Sequence, residues 1–137
     1  MNSRSIHFKD FDGWNIRKKI IHATDTSPSY FRERQIWWYQ LGANIGYEQD
    51  GTGLWFKRPV LVIKKFNESA FLGIPLSTTK KSDKYHLQFF FGDDNRQNAA
   101  IISQIRFIDS KRLDTKMGTC NNGDFAKIRK AIRDMIP

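Results

Sequence analysis

The run RPVLVIKKF, from Arg58 to Phe66, constrains this chain more than any other stretch. Val60, Leu61, Val62 and Ile63 follow one another with no polar residue between them. A strand with one wet face would alternate, so this run predicts a strand covered on both sides. Such a strand needs neighbours, and the flanking sequence supplies them. QIWWYQL (35–41) is dense in aromatic and β-branched residues. AFLGIPL (70–76) follows after NES, which reads as the turn of a hairpin. YHLQFFF (85–91) is closed by GDDN, and AAIISQIRFID (99–109) reads as a fifth strand bent near Ser103. Short strands at close spacing predict a mainly β (α+β) fold, built on a small barrel or a strongly curled sheet.

Helical periodicity is confined to the two ends. Asp10 to His22 reads as a short amphipathic helix, capped by Asp10 or Asp12, with Phe11, Trp14, Lys18 and Ile21 on one face. The segment ATDTSPSYFRER then reads as a linker. DSKRL (109–113) predicts a single turn capped by Asp109 or Ser110. NGDFAKIRKAIRDMIP (122–137) predicts a helix capped by Asp124, with Phe125, Ile128, Ile132 and Met135 as its apolar stripe. The organisation expected is an N-terminal helical extension and linker over 1–33 and a β domain over 34–137.

The chain has 137 residues, enough for one domain with its own core, and a net charge of +9, which favours a polyanionic partner such as nucleic acid. Cys120 is the only cysteine, so no internal disulfide can form. No apolar stretch is long enough for a membrane span, and the first residues lack the apolar segment of a secretory leader; a cytoplasmic setting is expected. His7, His22 and His86 are far apart in sequence, and no cluster of Cys, His or carboxylates has metal-ligand spacing. No Gly-rich phosphate loop stands between a strand and a helix. Neither a metal nor a cofactor is expected.

The candidates that remain gather at two strand ends. Arg58 stands where the polar loop GYEQDGTGLWFK meets the apolar strand, and Pro59 stiffens that junction. A guanidinium fixed there presents planar donors that match phosphate oxygens; an exposed arginine at a strand start is the plain alternative. Ser77, Thr78 and Thr79, followed by Lys80, Lys81 and Lys84, offer hydroxyls and charge suited to a nucleic-acid backbone or to an ordinary polar loop. His86 lies inside a strand pattern, which favours a structural role.

Taken in order, GYEQDG, RPVLVI, IPLSTT and SQIRFIDSKRL resemble the MazF/PemK family of toxin endoribonucleases, over about Arg34 to Ile136. The resemblance implies a small SH3-like β-barrel with a C-terminal helix, to which this chain adds an N-terminal helix. It implies a homodimer, a cognate antitoxin protein, and metal-independent, sequence-specific cleavage of single-stranded RNA to 2′,3′-cyclic phosphate and 5′-hydroxyl ends. It places catalysis on Arg58 and Ser77, the latter where the family usually has threonine, with Glu48 the nearest proton acceptor. Gln49, Thr78, Thr79, Lys80, Lys81 and Trp55 are the expected RNA contacts. The stretch between Glu48 and Arg58 is about five residues longer than the usual pattern, and Ser103 stands where some members carry an aspartate base. Glycines 51 and 53 are expected to let that loop move. A non-catalytic inhibitor of the same fold, of the gyrase-poison type, and an inactive nucleic-acid-binding module are the competing readings.

Overall fold

The computed structural model describes residues 8–25, 28 and 30–137; the expectation on His7 lies outside them. Its elements are α1 (Phe11–Ala23), β1 (Gln35–Gln40), β2 (Lys57–Asn67), β3 (Ala70–Ser77), β4 (His86–Phe91), β5 (Arg96–Ile101), β6 (Arg106–Asp109), β7 (Leu113–Thr119) and α2 (Asn122–Met135).

β2 is covered on both faces, as its unbroken apolar run requires. Leu61 and Ile63 enter one core with Ile36, Ile74, Leu76, Phe89, Phe91, Ile102, Phe125 and Ile128. Val60 and Val62 enter a second core with Phe31, Trp37, Tyr39, Leu41, Phe71 and Ile108. α2 closes the first of these with Phe125 and Ile128, while Ile132 and Met135 pack partly buried beside them.

All strand pairs are antiparallel, in the order β4-β5-β3-β2-β1-β7, with β6 also on β3. β3 makes the curvature. Its first half, Ala70–Gly73, pairs with β6, and its last residues, Leu76 and Ser77, pair with β5. One strand thus serves two ladders and the sheet curls around the first core. The hydrogen-bonded path does not join its two ends among the described residues. They meet through packing instead: a methyl group added to Gly118 of β7 would lie 3.1 Å from the Phe91 ring of β4. The fold is therefore the expected mainly β one, as a curled sheet that nearly closes.

Local details differ from the sequence reading for identifiable reasons. The long fifth strand is two strands, broken by a 3-10 turn at Ile102–Gln104. β7 was not expected, because on this edge strand only Leu113 is buried and the sequence shows no alternation. The cap of α2 is Asn121, whose side chain accepts from Asp124 N, and not Asp124 itself. The 3-10 turn Ser110–Arg112 is capped by Asp109 as expected.

α1 packs against the β domain of its own chain. Asp10 caps it by accepting from Gly13 N at 2.8 Å. Trp14 and Ile21 are buried. The Trp14 ring lies on Gly42, where an added Cβ would come within 2.1 Å of it, and stands 5.5 Å from the Phe56 ring. Gly42 also has φ +95°, so a side chain is excluded there by both conformation and space. Lys111 Nζ donates to His22 O at 2.9 Å near the other end of the helix. The buried face is narrower than the periodicity predicts. Phe11 is 49% exposed and Lys18 is exposed; Arg17 turns inward instead, donating to Gln40 Oε1 and lying over the Trp55 ring.

Candidate active site

Arg58 enters β2 opposite Tyr39 of β1, two residues before the Val60–Pro75 pair of β2 and β3, while Ser77 ends β3 two residues after that pair, on Ala99 of β5 and outside the lining of the Arg58 cleft. The two sequence-predicted residues are thus brought to one end of one hairpin. Main chain fixes the guanidinium: Nε donates to Asp50 O at 2.6 Å and Nη1 to Leu76 O at 3.1 Å. One anchor comes from the loop and the other from the residue before Ser77. Burial lowers the Arg58 pKa from the ordinary arginine value, opposed by Tyr39 and Asp50. Arginine keeps its charge under such a shift.

Residues 42–57 are shaped by close backbone contacts. Leu41 N and Gly42 N both donate to Phe56 O, and Gly51 N donates to Gly42 O at 2.8 Å. Thr52 and Lys57 exchange two backbone bonds, which makes 52–57 a small hairpin turned by Gly53 at φ +73°. The two glycines have different roles: Gly53 supplies the positive φ of the turn, and Gly51 a close approach of two backbones. At Gly51 a Cβ would stand 1.7 Å from Phe56 O, so only glycine lets the two backbones meet.

Glu48 is exposed, and its Oε1 accepts from Ile45 N at 2.9 Å. It shares with Arg58 an open cleft of about 710 Å³, also lined by Gln49, Asp50 and Tyr47. Gln49 N donates to Gln104 Oε1 at 3.4 Å, and Gln49 O accepts from Asn44. Glu48 and Gln49 form a ridge, for they also border a second cleft of about 340 Å³ with Tyr39, Ser103, Gln104 and Arg106. Tyr39 is fully buried and its hydroxyl has no hydrogen-bond partner among the described residues. Burial raises its pKa well above the usual phenol value, against the fields of Arg106, Arg112 and Arg58.

The loop after β3 is partly tied down. Ser77 Oγ accepts from Thr79 N at 3.2 Å, and Gln88 Nε2 donates to the carbonyls of Thr79 and Lys81. Lys80 Nζ donates to Gln97, while Thr78, Lys80 and Lys81 remain exposed. Trp55 stands apart: it is half exposed, carries the Arg17 guanidinium 4.3 Å from its ring centre, and does not line the Arg58 cleft. His86 pairs with Asp83 at 2.9 Å, in a different depression beside α2. Cys120 is buried and its thiol is pushed up to about 12, chiefly by burial, which leaves it no nucleophilic role at neutral pH.

Asp50 and Lys9 escaped the sequence reading. Asp50 holds Arg58 with a carbonyl, which any residue has, so no side-chain pattern marks it. Lys9 Nζ donates to Asn44 O at 2.6 Å and Gly46 O at 3.0 Å and pairs with the Asp50 carboxylate at 3.0 Å. Only the docking of α1 brings it there.

Residues 32–136 match the sequence model of a family described as "PemK-like, MazF-like toxin of type II toxin-antitoxin system". The chain belongs to this PemK/MazF toxin family. Solved structures agree on the fold. A crystal structure of MazF (Form-I) from Deinococcus radiodurans superposes with a TM-score of 0.62 at 16% identity, covering 82% of this chain and 98% of that one. Mycobacterium tuberculosis toxin MazF-mt6 superposes with a TM-score of 0.56 at 16% identity, covering 74% and 94%. No curated protein sequence matches the chain. Helix α1 lies wholly outside the family-matched stretch. Among the described residues no helix is long and apolar enough to cross a membrane, and no three His, Cys, Asp or Glu residues are grouped to hold a metal ion.

Proposed function

We propose that the chain is the toxin of a type II toxin–antitoxin pair and acts as an endoribonuclease on single-stranded RNA. The observation that carries this reading is Arg58. It is pinned by two carbonyls at the edge of an open cleft, one of them that of Leu76 beside Ser77, in a chain of charge +9. Two of the five guanidinium donors are used by the fold, and the Nη2 group is left to meet a phosphate. Family membership supports the assembly part of the reading, a homodimer held in check by an antitoxin protein.

RNA brings its own nucleophile. The 2′-oxygen beside the scissile phosphate attacks phosphorus, its proton passes to a base, and the P–O5′ bond breaks as the 5′-oxygen takes up a proton. The products are a 2′,3′-cyclic phosphate and a 5′-hydroxyl. Arg58 offsets the charge that builds on the phosphorane, where a fixed donor counts most. Arg58 is also the group placed to hand a proton to the leaving 5′-oxygen. Ser77 Oγ donates to a non-bridging oxygen, a role its acceptor bond from Thr79 N leaves open. Glu48, in the same cleft as Arg58, is the proton acceptor. Gln49 and the exposed Thr78, Lys80 and Lys81, with Thr79, hold the flanking backbone, and Trp55 meets RNA only if Arg17 gives up its ring.

The test is a long single-stranded RNA incubated with purified protein in EDTA. The expected result is cleavage to cyclic-phosphate ends, abolished by 2′-deoxyribose at the cut. Arg58→Ala, removing about 3–4 kcal/mol of transition-state stabilisation, slows cleavage by roughly 10²–10³. Ser77→Ala is milder, and Ser77→Thr is tolerated. Intact RNA, or an Arg58→Ala protein as active as wild type, overturns the assignment.

A further inference from the structure

Helix α1 lies outside the family-matched stretch, yet its start reaches the cleft that holds Arg58. Lys9 and Phe11 line that cleft together with Tyr47, Glu48 and Arg58. The docking of α1 is accounted for by Trp14 and Ile21, which are buried. Phe11 is not accounted for. It is a large ring left 49% exposed at the cleft, where burial against the domain would have been the ordinary use of a phenylalanine. Tyr47, which lines the same cleft, is 73% exposed. Lys9 explains how the two walls keep their spacing, because its three contacts tie the segment before α1 to Asn44, Gly46 and Asp50, and Asp50 O in turn holds Arg58 Nε.

We propose that this cleft is a nucleotide subsite in which the N-terminal segment supplies one wall. Its ligand is the unpaired nucleotide of an RNA strand that adjoins the scissile phosphate. The base stacks on Phe11, with Tyr47 across from it, while Arg58 takes the phosphate. Exposed aromatic rings beside a fixed cation are the chemistry that binds splayed single-stranded bases. The volume of about 710 Å³ lies within the roughly 300–1,000 Å³ of pockets that take molecules of this size. Lys9 is a positioning residue: its donors are spent on the loop, and it acts through Asp50 on Arg58. This inference rests on the endoribonuclease reading and adds that the extension selects the substrate.

The experiment compares the full chain with its Phe11→Ser and Phe11→Tyr variants on a pool of long single-stranded transcripts, sequencing the 5′-hydroxyl ends and measuring kcat and KM on a short RNA chosen from the wild-type map. Losing one base–aromatic stack is expected to raise KM roughly 5- to 150-fold. The loss falls on KM rather than kcat, the base preference beside the cut broadens, and Phe11→Tyr restores both. Thermal unfolding is unchanged for either variant, because Phe11 is not part of the buried face. Wild-type KM and wild-type preference in Phe11→Ser, from an active enzyme, overturn the subsite and leave the nuclease assignment standing. A fall in kcat alone that Phe11→Tyr does not restore also overturns it. Wild-type protein that neither binds nor cuts RNA overturns both.

Discussion

The Cys120 thiol lies at the end of β7 with no solvent contact; its backbone N donates to Arg34 O, and its carbonyl accepts from the Arg34 guanidinium at 3.2 Å. Burial is the main reason its pKa rises from 9.0 to about 12, with Asp124 adding to the rise and Arg34 opposing it. The folded protein therefore holds this proton more tightly than the unfolded chain does. The contribution to stability is intact below about pH 9, where both states are neutral, and is lost between about pH 9 and about pH 12. The loss is at most about 1.4 kcal/mol per pH unit for one group. Cys120→Ala is expected to flatten the alkaline limb of a denaturation series, and an unchanged slope would show that the thiol does not titrate differently in the two states. Tyr39, fully buried with its pKa also raised, steepens the same limb, so the variant flattens it only in part.

At the scale of elements, α1 is the informative case. Trp14 contacts Gly42 and Phe56, and the Arg112 guanidinium stands 5.7 Å from its ring while donating to Gln40 O and Leu41 O. Truncating a buried tryptophan removes about 3–5 kcal/mol. Trp14→Ala is therefore expected to lower the melting temperature clearly, and a Tm equal to wild type would mean that the helix does not contribute to the folded state. Strongly patterned elements such as β2 and α2 were legible in the sequence, because an unbroken apolar run and an i, i+3/i+4 stripe each allow few packings. β7 was not, since an edge strand with one buried residue has almost no pattern. The inward turn of Arg17 in place of Lys18 was not either: helical phase is set by where Trp14 seats, and that is a tertiary fact. Arg58 and Ser77 were legible as candidates from residue type and position. The anchors of Arg58 were not, because main-chain carbonyls leave no mark in a sequence.

For the whole molecule, charge decides how its associations respond to salt. Each copy carries +9, so two copies repel, and a homodimer has to form against that field. On the proposed reading, RNA and an acidic antitoxin segment would be drawn in by the same field. Raising salt from about 0.1 M to about 1 M shortens the screening length from about 10 Å to about 3 Å. The expected result is opposite signs: the dimer tightens with salt, while RNA and antitoxin binding weaken. Light scattering and anisotropy titrations measure the two. A strictly monomeric protein at both salts would remove the dimer from the functional reading, and RNA affinity indifferent to salt would remove phosphate contacts.

The seat of Trp14 has a consequence for anyone who would move this helix. Its receptor is a missing side chain, in a backbone conformation that other residues avoid, on the domain rather than on the helix. Gly42 is thus one part of the lock, beside the Lys9, Arg17 and Lys111 contacts that also hold the extension. Transplanting residues 8–25 onto another scaffold of this fold would carry over the key alone, and Trp14 would lose its seat wherever the recipient has a Cβ at the position of Gly42.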